Sequence, residues 1–207
     1  ALNGKGDSEA AIESYKKALK INPDYADAYN NMGSALRDKG DLEAAIDSCQ
    51  EALKIKPDYA EAFNNMGIAL KNNGDLIAAI DSYKKALKIK PDYSEVYNNM
   101  GIALQEKGDS EFAIGSYKQA IQTKPDYAEA YNNMGSALQK KGDLEEAIIS
   151  YKQALKIKPD FAMAYHNLGT AQQGGGNIDA AATAFRAAFN HDTAASLSLF
   201  YLHSTYY

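Results

Sequence analysis

The chain has 207 residues, 45% of them hydrophobic, and a formal net charge of −5. That apolar content is too high for a disordered chain, and the acidic balance argues against a surface built for nucleic acid or for an anionic membrane. No apolar run reaches the length of a membrane span, the opening stretch ALNGKGDSEA lacks the basic-then-apolar pattern of a signal peptide, and the single Cys49 excludes an internal disulfide framework, which fits a reducing, cytoplasmic setting.

Self-similarity decides the architecture. Pro-Asp-Tyr recurs at Pro23, Pro57, Pro91 and Pro125, and Pro-Asp-Phe follows at Pro159. Asn-Met-Gly ends at Gly33, Gly67, Gly101 and Gly135, and Asn-Leu-Gly at Gly169. Gly-Asp stands at Gly6, Gly40, Gly74, Gly108 and Gly142, and Gly-Asn at Gly176. All three series step by 34 residues, so the units run 1–25 (partial), 26–59, 60–93, 94–127, 128–161, 162–195 and 196–207.

Residues 1–25 enter a unit late, at the end of a first helix. Gly6 then predicts a turn, and about 8–21 a second helix. In 26–59, Tyr29, Met32, Ala35 and Leu36 form one apolar face of a first helix, here called A. Gly40 predicts a left-handed C-cap, and Asp41 an N-cap for a second helix, B. Helix B carries Leu42, Ala45, Ile46, Cys49, Ala52, Leu53 and Ile55 in a stripe and stops at Pro57. Asp58 is expected to cap the next helix, with Glu61 completing a capping box. Small residues (Gly33, Ala45 and Ala52) fall where the two helices should cross. The units 60–93, 94–127 and 128–161 repeat this plan, with Asp75, Asp109 and Asp143 in the N-cap place. The unit 162–195 is degenerate: Gln172 replaces an apolar residue, glycines 174–176 replace a charged turn, and Thr193 replaces the closing Pro. In 196–207, Leu199, Leu202 and Tyr206 predict a capping helix or the start of a further repeat, and the pattern breaks off midway, as in a piece of a longer protein. Leu197, Phe200 and Tyr201 leave that helix apolar on more than one side, which suggests either a cap or a self-association surface. No strand signal occurs. The predicted fold is all-α, a solenoid of stacked antiparallel helix pairs, because one pair cannot bury both of its apolar faces.

The 34-residue period, the aromatic–x–x–Met/Leu–Gly of helix A, the Gly-Asp…Ala…Tyr…Ala-Leu…Pro of helix B and the closing Pro resemble the tetratricopeptide repeat (TPR) over residues 1–195. Two departures occur. The fourth position is Tyr or Phe rather than Trp, and the eleventh is Leu rather than Tyr. The resemblance implies a right-handed superhelix whose concave groove is lined mainly by A helices.

On helix A, the side opposite the apolar face then belongs to that groove. It reads Asp27, Asn30, Asn31, Ser34, Arg37 in the first full repeat and Glu61, Asn64, Asn65, Ile68, Lys71 in the second. It continues Glu95, Asn98, Asn99, Ile102, Gln105, then Glu129, Asn132, Asn133, Ser136, Gln139, then His166 and Asn167. Two Asn columns result, at the fifth and sixth positions. An amide offers donors and an acceptor that match a peptide unit. The sixth-position column (Asn31, Asn65, Asn99, Asn133 and Asn167) is similar to the asparagine ladder of the TPR superhelix of O-linked N-acetylglucosamine transferase, which implies extended peptides held through their main chain. The bland reading is a bond to the neighbouring repeat, and the fifth position shows no evident structural need in the sequence. The second position is acidic in four repeats (Asp27, Glu61, Glu95 and Glu129), which caps helices and leaves carboxylates at the groove edge. A clamp for a C-terminal carboxylate would need Lys there, so that function is rejected. Lys84, Lys85, Lys88 and Lys90 suit the end of helix B and read as a solvated face.

No catalytic, metal or cofactor set is predicted. His166, His191 and His203 lack metal spacing. QQGGGN has no strand before it and no Lys-Ser/Thr after it, unlike a phosphate loop. Cys49 takes the place of Tyr15, Tyr83, Tyr117 and Tyr151 and reads as core. The expected function is a non-enzymatic scaffold binding a protein through an extended, neutral or basic peptide, with no nucleic acid and no membrane insertion. The alternatives are the recruiting arm of a larger enzyme, such as a glycosyltransferase, and a scaffold assembling through its terminal helices.

Overall fold

The structure is a computed structural model that describes residues 2–191, with side chains from Ser8 onward. The described residues form eleven α-helices and no strand. In chain order they are α1 (Leu2–Ile21), α2 (Ala26–Lys39), α3 (Leu42–Ile55), α4 (Ala60–Asn72), α5 (Leu76–Ile89), α6 (Ser94–Lys107), α7 (Ser110–Thr123), α8 (Ala128–Lys141), α9 (Leu144–Ile157), α10 (Ala162–Gly174) and α11 (Ile178–His191). Two compact units divide the chain, residues 1–107 with α1 to α6 and residues 108–207 with α7 to α11. In the first, α2–α3 and α4–α5 are helix pairs, α1 lies on α2, α3 on α4 and α5 on α6. In the second, α8–α9 and α10–α11 are pairs, α7 lies on α8 and α9 on α10. Each A helix also touches the next A helix of its unit: α2 with α4, α4 with α6, α8 with α10. The helix expected over 196–207 lies outside the described residues.

The turns inside the pairs need left-handed backbone. Gly40, Gly74, Gly142 and Gly176 have φ of 95°, 87°, 96° and 80°, a region closed to most L-residues. At the first, Gly40 N–H donates to the Arg37 carbonyl and Asp41 N–H to the Leu36 carbonyl, both at 2.9 Å, which satisfies the last carbonyls of α2. Gly6 does not behave this way: α1 runs through it unbroken. Residues 2–5 amount to about one helical turn, too short to form a packed helix of their own. Extending α1 keeps their hydrogen bonds instead.

The caps also differ from expectation. Asp75 accepts from Ala78 N–H at 3.0 Å, and Asn177 from Ala180 N–H at 3.2 Å. Asp41 and Asp143 hold the same place without a side-chain cap bond, and Asp143 instead pairs with Lys141 at 3.1 Å. Before helix A the N-cap is Tyr59, not Asp58, and no capping box forms there. The aromatic residue at that corner is anchored otherwise, as described below.

The core is rich in small residues, and most pairs add one large ring. Ala45, Ala52, Ala79, Ala86, Ala147 and Ala154 are fully buried, as are Tyr83, Tyr117, Tyr151 and Phe185. Glycines of helix A lie flat against these rings. A methyl placed on Gly67 would sit 2.5 Å from Tyr83 Cε1, one on Gly135 2.6 Å from Tyr151 Cε1, and one on Gly169 2.6 Å from Phe185 Cε1. In the first pair the smaller Cys49 takes the ring's place, with its sulfur 2.8 Å from such a methyl on Gly33. The burial of Cys49 pushes its thiol pKa up to about 12, so it fills space as a neutral apolar group.

Gly67→Leu forces four heavy atoms onto the Tyr83 ring. It should cost about 3 kcal/mol, at or beyond the upper end of ordinary overpacking. Thermal denaturation followed by circular dichroism checks this, and an unchanged melting temperature would refute the crossing assignment.

Candidate functional site

The two Asn columns occupy different environments. The fifth-position residues Asn30, Asn64, Asn98 and Asn132 are buried. In the sixth column, Asn65, Asn99, Asn133 and Asn167 are half-buried and Asn31 is exposed. Asn65 Nδ2 donates to Asn30 Oδ1 at 2.8 Å, Asn99 Nδ2 to Asn64 Oδ1 at 3.0 Å, and Asn167 Nδ2 to Asn132 Oδ1 at 3.0 Å. Each bond joins one A helix to the next. Asn30 and Asn132 in turn donate to Asn31 and Asn133 at 3.4 Å. The fifth position therefore has the structural partner that the sequence did not reveal. A buried amide must be satisfied, and the following repeat supplies the donor. The amide of the sixth position is held in one orientation by that bond, while its second N–H is not required by the ladder.

The acidic row is anchored at the corners. The phenol of Tyr59 lies near Asp27 and Asn30, and its pKa is raised by burial first and by Asp27 next. Tyr93 lies near Glu61 and Glu95, and its pKa is raised mainly by burial. Glu129 pairs with Lys158 at 3.4 Å, and Glu95 accepts from Ser94 Oγ at 3.1 Å. The ammonium groups of Lys56, Lys90, Lys124 and Lys158 sit 4.3, 4.4, 4.9 and 4.9 Å from the rings of Tyr59, Tyr93, Tyr127 and Phe161. Lys90 is thus part of a corner and not only a solvated charge. The recurring Lys-Pro-Asp-Tyr/Phe carried this signal in the sequence.

The last row of the predicted site faces inward as much as outward. Arg37 bonds Asp38 at 2.9 Å and Ser34 at 3.0 Å, and Lys71 pairs with Glu106 at 3.4 Å. Gln139 accepts from the buried Tyr151 hydroxyl at 2.9 Å. Gln105 is half-buried on α6. In the pair α4–α5 the equivalent of Gln139 is Lys71, a donor only, and the Tyr83 hydroxyl is buried without a partner among the described residues. Burial raises the pKa of both phenols, so both stay neutral. His166 replaces the fifth-position Asn on α10. Its ring lies 5.7 Å from that of Phe185, and burial lowers its pKa. Among the described residues no group of three His, Cys, Asp or Glu converges as a metal site, and no helix is long and apolar enough to cross a membrane.

A family model described as "TPR repeat" matches residues 1–36, 33–74, 73–108, 106–142 and 135–174. The chain belongs to the TPR family. No curated protein matches it. Among solved structures, this TPR chain is similar to MamA, with 31% identity and a TM-score of 0.70 over 77% of this chain and 94% of that one. It is also similar to a MamA fragment from Desulfovibrio magneticus RS-1, with 24% identity and a TM-score of 0.72 over 80% and 94%. A third is YrrB, described as a TPR protein with an unusual peptide-binding site, with 23% identity and a TM-score of 0.69 over 92% and 98%.

Two substitutions test the TPR ladder and its support. Asn64→Ala deprives the Asn99 amide of its acceptor and should cost about 1–3 kcal/mol in urea denaturation. Lys71→Gln gives the Tyr83 hydroxyl the acceptor that Tyr151 has. It removes a solvent-screened ion pair worth little, so a net gain of about 1 kcal/mol is expected by the same measurement.

Proposed function

We propose that this chain is a non-catalytic interaction scaffold that holds an extended peptide segment against the A helices of a unit. One observation carries the reading: the amides of Asn65, Asn99 and Asn167 are locked by bonds to the preceding A helix that use one of their two N–H groups. Donors fixed before binding reduce the ordering cost of association. A peptide main chain offers acceptors at regular spacing without regard to its side chains. By position the donors are Asn31, Asn65, Asn99, Asn133 and Asn167, and the edge residues are Asp27, Glu61, Glu95 and Glu129. The description of YrrB as a peptide-binding TPR protein supports the class of ligand. The acidic row favours neutral or basic segments over acidic ones.

The test is binding of a labelled library of short peptides, followed by anisotropy on the hits. In Asn65→Ala/Asn99→Ala the hits should bind about tenfold more weakly, at a temperature where circular dichroism shows full helicity. Because those substitutions also loosen the ladder, a second variant, Ser34→Trp/Ser136→Trp, blocks the face without replacing an asparagine and should abolish binding. Hits that bind wild type and both variants equally would overturn the reading.

A further inference from the structure

Resting on that reading, we infer that the first unit selects extended segments in which an aliphatic residue stands next to a basic one. Three parallel rows cross α4 and α6. Glu61 and Glu95 form the first, Asn65 and Asn99 the second, Ile68 and Ile102 the third. Residues three and four apart share a helix face, so the rows lie side by side about one turn apart, with the amides in the middle. The two helices touch, so each row continues from one to the next. The third row is aliphatic here alone. Its counterparts are Ser34 on α2, and Ser136 and Thr170 on α8 and α10. Ile68 and Ile102 are half-buried, with Ile68 packed at the margin of the core around Tyr83 and Val96.

The first row supplies the charge. Neither Glu61 nor Glu95 has an ion-pair partner among the described residues. In the second unit, by contrast, Glu129 is paired with Lys158. Lys90, the counterpart of that lysine, rests on the ring of Tyr93. A peptide laid along the amide row projects successive side chains to opposite sides. One side meets the isoleucines and the other meets the carboxylates. An aliphatic residue followed or preceded by Lys or Arg satisfies both, whereas an acidic residue meets like charge and a polar one leaves the isoleucines exposed.

The experiment uses the whole chain and three fluorescein-labelled peptides in fluorescence anisotropy: alternating Val and Lys, alternating Val and Glu, and alternating Ser and Lys. The Val-Lys peptide should bind about tenfold more tightly than either control, and added salt should reduce its lead over Val-Glu. Ile68→Ser/Ile102→Ser installs the residue that the chain already uses at Ser34 and Ser136, so it should fold, and it should lose the preference over Ser-Lys while keeping that over Val-Glu. Glu61→Gln/Glu95→Gln should do the reverse. If peptides bind but neither variant alters its own preference, the inference fails and the scaffold reading stands. If no peptide, from this set or the library, binds at all, both fail.

Discussion

A ring lying flat on a glycine is the contact on which the rest depends. Tyr83, Tyr151 and Phe185 reach the backbone of the partner helix because Gly67, Gly135 and Gly169 carry no side chain. Most of the buried residues beside them are alanine, so close approach of the helices supplies much of the packing that larger side chains would supply elsewhere. The turn glycines return each B helix within reach of its A helix. Glycine in a helix costs about 1 kcal/mol relative to alanine, and the buried ring offsets that cost.

With the pairs set, the A helices of a unit lie close enough for the amides of Asn65 and Asn99 to reach Asn30 and Asn64. The same bond gives cohesion and, in the proposed function, prepares recognition. It satisfies a buried carbonyl and uses only one of the two N–H groups of the donating amide. A residue type that is mediocre in helices is retained at adjacent positions because the pair performs one task jointly, the first as acceptor and the second as donor. Charges are handled in the same economical way. The lysine before four of the five prolines covers the ring two residues after that proline, and the phenol of Tyr59 in turn lies near Asp27.

Repetition makes exceptions visible. Cys49 stands where other pairs have a ring, Lys71 stands where Gln139 accepts from Tyr151, His166 stands where four repeats have Asn, and isoleucine replaces serine at two neighbouring positions. Cys49 is a packing adjustment and Lys71 leaves a hydroxyl unserved. The isoleucines alone add an aliphatic row to the face proposed to hold a peptide.

The helix pairs, their period and their glycine turns were legible in the sequence, because they follow from local rules: the spacing of apolar residues, left-handed glycine and proline as a stop. The family was legible for the same reason, since a repeat displays its rules several times. The two Asn columns were legible as columns, but not their division of labour. Whether an amide is buried depends on the neighbouring helix, and nothing in Asn30 or Asn31 alone says which one lies under α4. The lysine–ring corners span only three residues and were present in the recurring Lys-Pro-Asp-Tyr/Phe, and the unbroken α1 follows from the shortness of the segment before Gly6. The ladder is different: its partners stand 35 residues apart and meet only when the chain has folded.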